Sequence, residues 1–278
     1  MAPPSTAQKA AVASFVSITG ASDKIAARPV TWSRADGVFA AVSQEFFVQT
    51  ERGSRCASAN TSAPNKLVQL AKLFDSLRND AEDQKDVLGA DSSMQYLNSI
   101  GVDLEGASLF LAMELVQAPT IGEITRDGFV KGWNTPGVET KIESQRQYFK
   151  RLTTSMSTDR DLFRRVYRYA FVVGKEGDQR ALSLDNAIVY WEMLFKKPGQ
   201  VWVGSIAGID WLAEWITFLR ENWTRSVSRD MWNQTFEFAT KSIQDEALSF
   251  WSEDGAWPGV IDQFVAWYRQ KSEMDVDA

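Results

Sequence analysis

From Leu67 onward the apolar residues of this chain return at intervals of three and four. The series run Leu67, Leu70, Leu73, Phe74 and Leu77; Phe163, Val166, Tyr167, Ala170 and Phe171; Trp211, Leu212, Trp215, Ile216 and Leu219; and Val260, Ile261, Phe264, Val265 and Tyr268. Such positions fall on one face only in an α-helix. No stretch alternates apolar and polar residues well enough to give a strand series, so the expected fold class is all-α. With 278 residues, 44% of them hydrophobic, the chain can fill the core of one large domain beside a small one.

The division between them shows in the composition. Residues 7–49 carry three short apolar patterns: Val12, Phe15 and Val16; Ile25 and Ala26; and Val38, Phe39, Val42, Phe46 and Phe47. Three short helices are expected there. Residues 50–64 turn to Ser, Ala, Asn and Thr without periodicity, as a flexible connector does. The main domain is expected over 65–271, followed by a short, acidic, disordered tail at 272–278. Periodicity assigns no conformation to Val201–Ile209.

Several kinds of chemistry are excluded. The chain has no histidine, which removes Ser-His and Cys-His nucleophile pairs and the usual proton shuttle near neutral pH. Its single cysteine, Cys56, lies in the connector without the companions a zinc site or a RING needs. The acidic turns at Asp80 to Gly89 and at Asp254-Gly255 lack the spaced oxygen ligands and closing Glu of a calcium loop. No metal or cofactor is therefore expected. The net charge of −6 argues against a nucleic-acid partner and suits a basic protein partner. No apolar run reaches the length of about 18 residues that a membrane span requires, and the N-terminus lacks the pattern of a signal peptide. The expected address is the cytoplasm and nucleus.

Two helix starts near the C-terminus carry acids. Ser228 is placed to cap a helix beginning near Arg229, which puts Asp230 in the first turn, where the helix dipole favours a carboxylate. Pro258 suits a first helical position, and behind it Asp262, Ala266 and Arg269 fall off the apolar stripe, so Asp262 is expected to be exposed.

The residues around these starts carry a resemblance. They run Ser-Arg-Asp-Met-Trp-Asn from Ser228, Ser-Glu-Asp-Gly-Ala-Trp-Pro ending at Pro258, and Val-Ile-Asp-Gln-Phe-Val-Ala-Trp from Val260. Glu123 to Trp133, Phe163 to Lys175 and Leu182 to Trp191 stand upstream in matching order. Together, over roughly residues 65 to 270, the chain resembles the family named for defective cullin neddylation. Residues Phe15 to Ala27 look like the start of a ubiquitin-associated (UBA) domain, which family members often carry. Pro29 then falls where a second helix should continue, at a cost of about 3 kcal/mol.

The resemblance implies a main domain of helix pairs like EF-hands and a scaffold-type, non-catalytic ligase that speeds attachment of a ubiquitin-like modifier to cullins. One implied surface is an Asp-Ala-Asp patch, here Asp230, Ala256 and Asp262, that holds the winged-helix C-terminal domain of the cullin. The second is an apolar pocket for the N-terminally acetylated methionine of the conjugating enzyme, mapping to Leu109, Ala112, Met113, Val116, Ala118, Ile124, Val173, Tyr190 and Met193. The chain departs from the commoner family pattern there. Met113, Glu114 and Leu115 stand in place of Ala-Trp-Lys, and Val116, Ile124 and Val173 in place of aromatic residues. A cullin-bound RING protein is the implied third partner, and ubiquitin or the modifier is a partner for the N-terminal segment.

Two plainer readings compete for the same residues. Acids in first helical turns often only complement the dipole, and an apolar helical stripe is usually core. Trp232 and Trp257 are expected in the core. Two functional rivals stand beside the scaffold: a ubiquitin-binding adaptor without ligase activity, and a sugar-acting enzyme using some of the 11 tryptophans as stacking platforms.

Overall fold

The computed structural model describes residues 62–177 and 179–276. The helices expected at 7–49, and most of the connector, lie outside these residues. Among the described residues the chain is almost wholly helical, with strands only two residues long.

Two helix–strand–helix pairs organise it. In the first, α1 (Ser62–Leu77) leads through a turn to β1 (Val87–Leu88) and α2 (Ala90–Ser99). Then α3 (Ala107–Leu115) leads to β2 (Ile124–Thr125) and α4 (Arg126–Trp133). The strands pair antiparallel, Val87 with Thr125 and Leu88 with Ile124. After α5 (Ile142–Ser155) the arrangement recurs: α6 (Arg160–Val173), β3 (Ala181–Leu182), α7 (Leu184–Leu194), then α8 (Trp211–Asn222), β4 (Val227–Ser228) and α9 (Arg229–Ser242). Ala181 pairs with Ser228 and Leu182 with Val227. The last helix is α10 (Gly259–Val276). Paired helix–loop–helix units joined by a minimal ladder are the EF-hand-like plan implied by the resemblance.

Each ladder strand also starts the helix that follows it. Thr125 in β2 accepts from Gly128 N at 3.2 Å, and Ser228 in β4 accepts from Met231 N at 3.1 Å. Just after β3, Ser183 accepts from Asn186 N at 3.2 Å. These caps satisfy amide groups that the helices leave open, a contribution of about 1 kcal/mol each. In the first loop the Asp83 carboxylate accepts from Asn79 N and Gly89 N, both at 2.8 Å. It thereby serves the loop's own backbone. Among the described residues no three His, Cys, Asp or Glu side chains cluster as metal ligands would.

Gly128 and Gly132 let α4 press onto the end of α3. A Cβ at either position would lie about 2 Å from the carbonyl oxygen of Val116 or Leu115 respectively. Arg126, the first residue of α4, donates to the carboxylates of Asp75 and Asp86 and to Ala71 O, and covers the Phe74 ring at 4.8 Å. It ties α1 to the ladder. The Arg126 hydrogen bond is the main cause holding the Asp75 carboxyl below the ordinary carboxylate value, with the charges of Arg126 and Arg78 adding to it. A lowered folded value stabilises the fold above the unfolded value near 3.9, and that contribution disappears as pH falls through the lowered value. Thermal melts of wild type and Asp75→Asn between pH 3 and 7 should therefore diverge at neutral pH and converge in acid. A constant difference would remove the linkage.

The second pair holds an aromatic core. Tyr167 of α6 donates to Trp232 O at 2.8 Å, and Trp232 of α9 returns its indole N–H to Tyr167 O at 2.9 Å. Trp191 of α7 donates to the same Tyr167 hydroxyl at 2.8 Å, and its ring stacks on Trp232 at 5.1 Å. Six tryptophans, at positions 133, 191, 202, 211, 215 and 232, are fully buried. Packing therefore accounts for them, against the sugar-platform reading.

Two sequence expectations are corrected. α1 begins at Ser62, inside the expected connector, and α10 continues to Val276, taking in residues assigned to a disordered tail. Lys271 reaches Glu214 of α8 at 2.7 Å, and Ser272 donates to Tyr268 O at 2.9 Å, contacts that composition does not reveal. The Val201–Ile209 segment also becomes legible. Trp202 donates to Ser242 Oγ at 2.8 Å, Gly204 N to Ile209 O at 2.8 Å, and Ser205 N to Ile243 O at 2.9 Å. Glu246 accepts from Ala207 N at 3.0 Å, and Ile206 stands 81% exposed at the tip.

Candidate functional site

The three residues of the Asp-Ala-Asp trio fall in the last third of the fold. Asp230 is exposed in the first turn of α9, beyond the Ser228 cap. Ala256 is exposed in the loop before α10. That loop is anchored by Trp257, whose ring meets Phe238 at 5.9 Å and Phe250 at 6.0 Å. Phe238 is eight residues beyond Asp230, about 12 Å along the helix axis. Asp230 thus lies two turns of α9 away from the place where the Ala256 loop docks. Between them Gln234, Glu237 and Lys241 recur at helical spacing from Asp230 and form a polar ridge along α9. Glu237 is linked to Arg164 of α6 at 3.6 Å.

Asp262 differs from its expectation. It is half-buried, and its carboxylate accepts the indole N–H of Trp251 at 2.9 Å. The acid stands off the apolar stripe as the spacing predicts, but a loop residue eleven positions earlier folds back over it. Substituting it therefore removes an internal hydrogen bond as well as a surface charge. Trp232 is buried as expected, whereas Trp257 is half-buried at the edge of the core.

The nine residues assigned to the apolar pocket come from both helix pairs. Leu109, Ala112 and Met113 lie on α3, Val116 is its C-cap, Ile124 is in β2, Val173 ends α6, and Tyr190 and Met193 lie on α7. Ala118 is held by its carbonyl, which accepts from Tyr169 of α6 at 2.8 Å, and by its amide, which donates to Met113 O at 3.0 Å. All nine belong to one continuous core. None is more than a tenth exposed, and Met113, Ala118 and Ile124 are wholly covered. Gly174 sits so close to Tyr190 that a Cβ there would lie 2.2 Å from the ring.

Sequence reasoning missed two neighbours of these nine. Phe110 meets the Tyr190 ring edge-on at 5.0 Å. Tyr169 is half-buried; burial, reinforced by the nearby Glu114 charge, pushes its hydroxyl up to about 12. Burial and Glu176 do the same to Tyr190. Both phenols stay neutral donors at physiological pH, and neither is poised for proton transfer. Near the trio, sequence reasoning missed Trp251, Lys241 and Arg269. The only signal for them was the density of aromatic residues in a loop, Phe250-Trp251 and Trp257, where helical packing does not demand it.

The family model described as "Cullin binding" matches residues 144–267, a span that contains Asp230, Ala256 and Asp262. The chain is 40% identical to Defective in cullin neddylation protein 1 of Pyricularia oryzae over 292 aligned positions, covering 99% of this chain and 100% of that protein. It is 30% identical to the protein of the same name in Yarrowia lipolytica, over 72% of this chain and 78% of that one. It is 28% identical to DCN1-like protein 4 of Homo sapiens, over 67% of this chain and 59% of that one.

Proposed function

The chain belongs to the defective in cullin neddylation family, and from that premise we propose that it acts in cullin neddylation as a scaffold. It binds the cullin C-terminal winged-helix domain through the face carrying Asp230, Ala256 and Asp262. It also receives the N-acetylated end of the conjugating enzyme at the apolar cluster around Met113. The observation that carries this most is Ala256: a small, exposed residue in an anchored loop, inside the span matched by the cullin-binding model. Its lack of a side chain beyond Cβ leaves room for a partner backbone, while Asp230 and Asp262 attract basic groups and set orientation.

The scaffold contributes geometry and no reacting group. Holding charged conjugating enzyme and cullin together makes their encounter nearly unimolecular, which can remove several kcal/mol of barrier. Without histidine, and with a lone cysteine outside the main domain, the chain offers little for acid–base or thioester chemistry. A cullin-bound RING protein completes the assembly, which works in the cytoplasm and nucleus. The ubiquitin-binding adaptor remains the second reading; it depends on residues 7–49, outside the described structure.

At the conjugating-enzyme end, acetylation matters because it removes a charge that would otherwise be desolvated at a cost of several kcal/mol. Since none of the nine residues is more than a tenth exposed, the bound methionine would replace existing packing. Calorimetric titration of the conjugating enzyme's N-terminal peptide should show binding at least about tenfold tighter with the acetyl group than without it. Equal affinity, or none, would remove this arm of the proposal.

A further inference from the structure

Two cations near Ala256 are held in place without an acid to hold them. The Lys241 ammonium sits 5.5 Å from the Phe250 ring centre and 5.4 Å from that of Trp257. The Arg269 guanidinium lies 4.9 Å over Trp251, the residue whose indole N–H binds Asp262. Both side chains are exposed, and neither has a carboxylate partner among the described residues. All three rings belong to the one loop, Phe250 to Trp257, that also carries Ala256. Arg151, Arg225 and Arg229 also lie near rings without an ion pair among the described residues, but those rings, Tyr148, Trp223 and Phe171, lie outside the Ala256 loop.

We infer that Lys241 and Arg269 are specificity-determining contacts, presented to carboxylates of the protein that docks on the Ala256 loop. The inference rests on the proposal that this face binds the cullin domain. Stacking on a ring restrains a long, flexible side chain before binding, so less freedom is lost when a partner engages it. A guanidinium near an indole face keeps N–H groups available, and these match a carboxylate in two-point geometry. With Asp230 and Asp262 the face alternates in sign. A partner must then carry acids as well as bases in register, and a uniformly basic surface meets repulsion at two points.

The test measures association of a cullin C-terminal domain with the full chain, at low and high salt, for wild type, Lys241→Glu, Arg269→Glu, the double variant and Ala256→Arg. Thermal melts check that each is folded. The double variant is expected to bind about tenfold more weakly at low salt, with the deficit shrinking as salt rises. A scan of cullin surface acids to lysine should yield at least one change that restores binding to Arg269→Glu. Binding of the double variant within twofold of wild type, while Ala256→Arg abolishes it, overturns the inference and leaves the cullin face standing. Weakening without rescue by any acid-to-lysine change also overturns it, because the partner groups are then not carboxylates. If Ala256→Arg binds normally, the cullin-face proposal itself fails, whatever the charge variants do.

Discussion

Met113→Arg is expected to cost the protein its native fold. Met113 is wholly buried on α3, among Ala118, whose amide donates to its carbonyl, and the packed side chains of α6 and α7. Its surroundings are apolar side chains of the core, so a guanidinium placed there would be too large and would lose its hydration. Overpacking alone costs about 1–3 kcal/mol, and a buried charge adds several more. The sum approaches the whole stability of a typical domain, about 5–15 kcal/mol. Circular dichroism melts should show a melting temperature lower by at least about 10 °C, or no cooperative transition at all. Met113→Leu, which nearly conserves volume, should stay within about 1.5 kcal/mol of wild type. A Met113→Arg protein that melts normally and loses only peptide binding would show instead that Met113 lines an open groove.

Ala256→Arg is expected to do the reverse, leaving the fold intact and removing cullin binding. Ala256 is exposed, and its loop is fixed by Trp257 against Phe238 and Phe250 rather than by the alanine itself. An arginine therefore finds solvent in the free protein, and surface substitutions of this kind usually fall within about 0.5 kcal/mol. In the complex the same side chain would fill space the partner backbone needs, a steric mismatch of several kcal/mol. Titration with a cullin C-terminal domain should show affinity reduced by at least about a hundredfold, with the melting temperature unchanged. Asp262 is a poorer probe than its sequence position suggests, because replacing it also strands the Trp251 indole N–H.

How far the sequence carried these conclusions depends on the range over which each feature is encoded. The helices were legible because every third or fourth residue reports the same face, and the cap at Ser228 is local chemistry. The ladders were not, since two residues, such as Val87–Leu88, cannot display alternation. The exposure of Asp262 was misjudged because its partner comes from a loop whose path no periodicity describes. The continuation of α10 to Val276 was hidden for a similar reason: the Lys271–Glu214 contact joins residues far apart in sequence.

The two parts of the site differ in the same way. Position along the chain, through the resemblance, assigned both the trio and the apolar cluster. Neither spacing nor composition separates a groove from a core, however, and the covered state of Met113, Ala118 and Ile124 needed the folded structure. Lys241 and Arg269 were invisible in sequence because a solvated lysine and a lysine suspended over two rings read alike. Their placement depends on where the Phe250 to Trp257 loop returns against α9 and α10.

The most direct measurement of the scaffold's role is a single-turnover transfer of modifier from charged, N-acetylated conjugating enzyme to a RING-bound cullin. The arms are no added protein, wild type, and Ala256→Arg. Wild type should accelerate transfer and the variant should not, with both proteins folded. Equal rates in all three arms, from a folded wild-type protein, would contradict the proposed scaffold and move the ubiquitin-binding adaptor into first place.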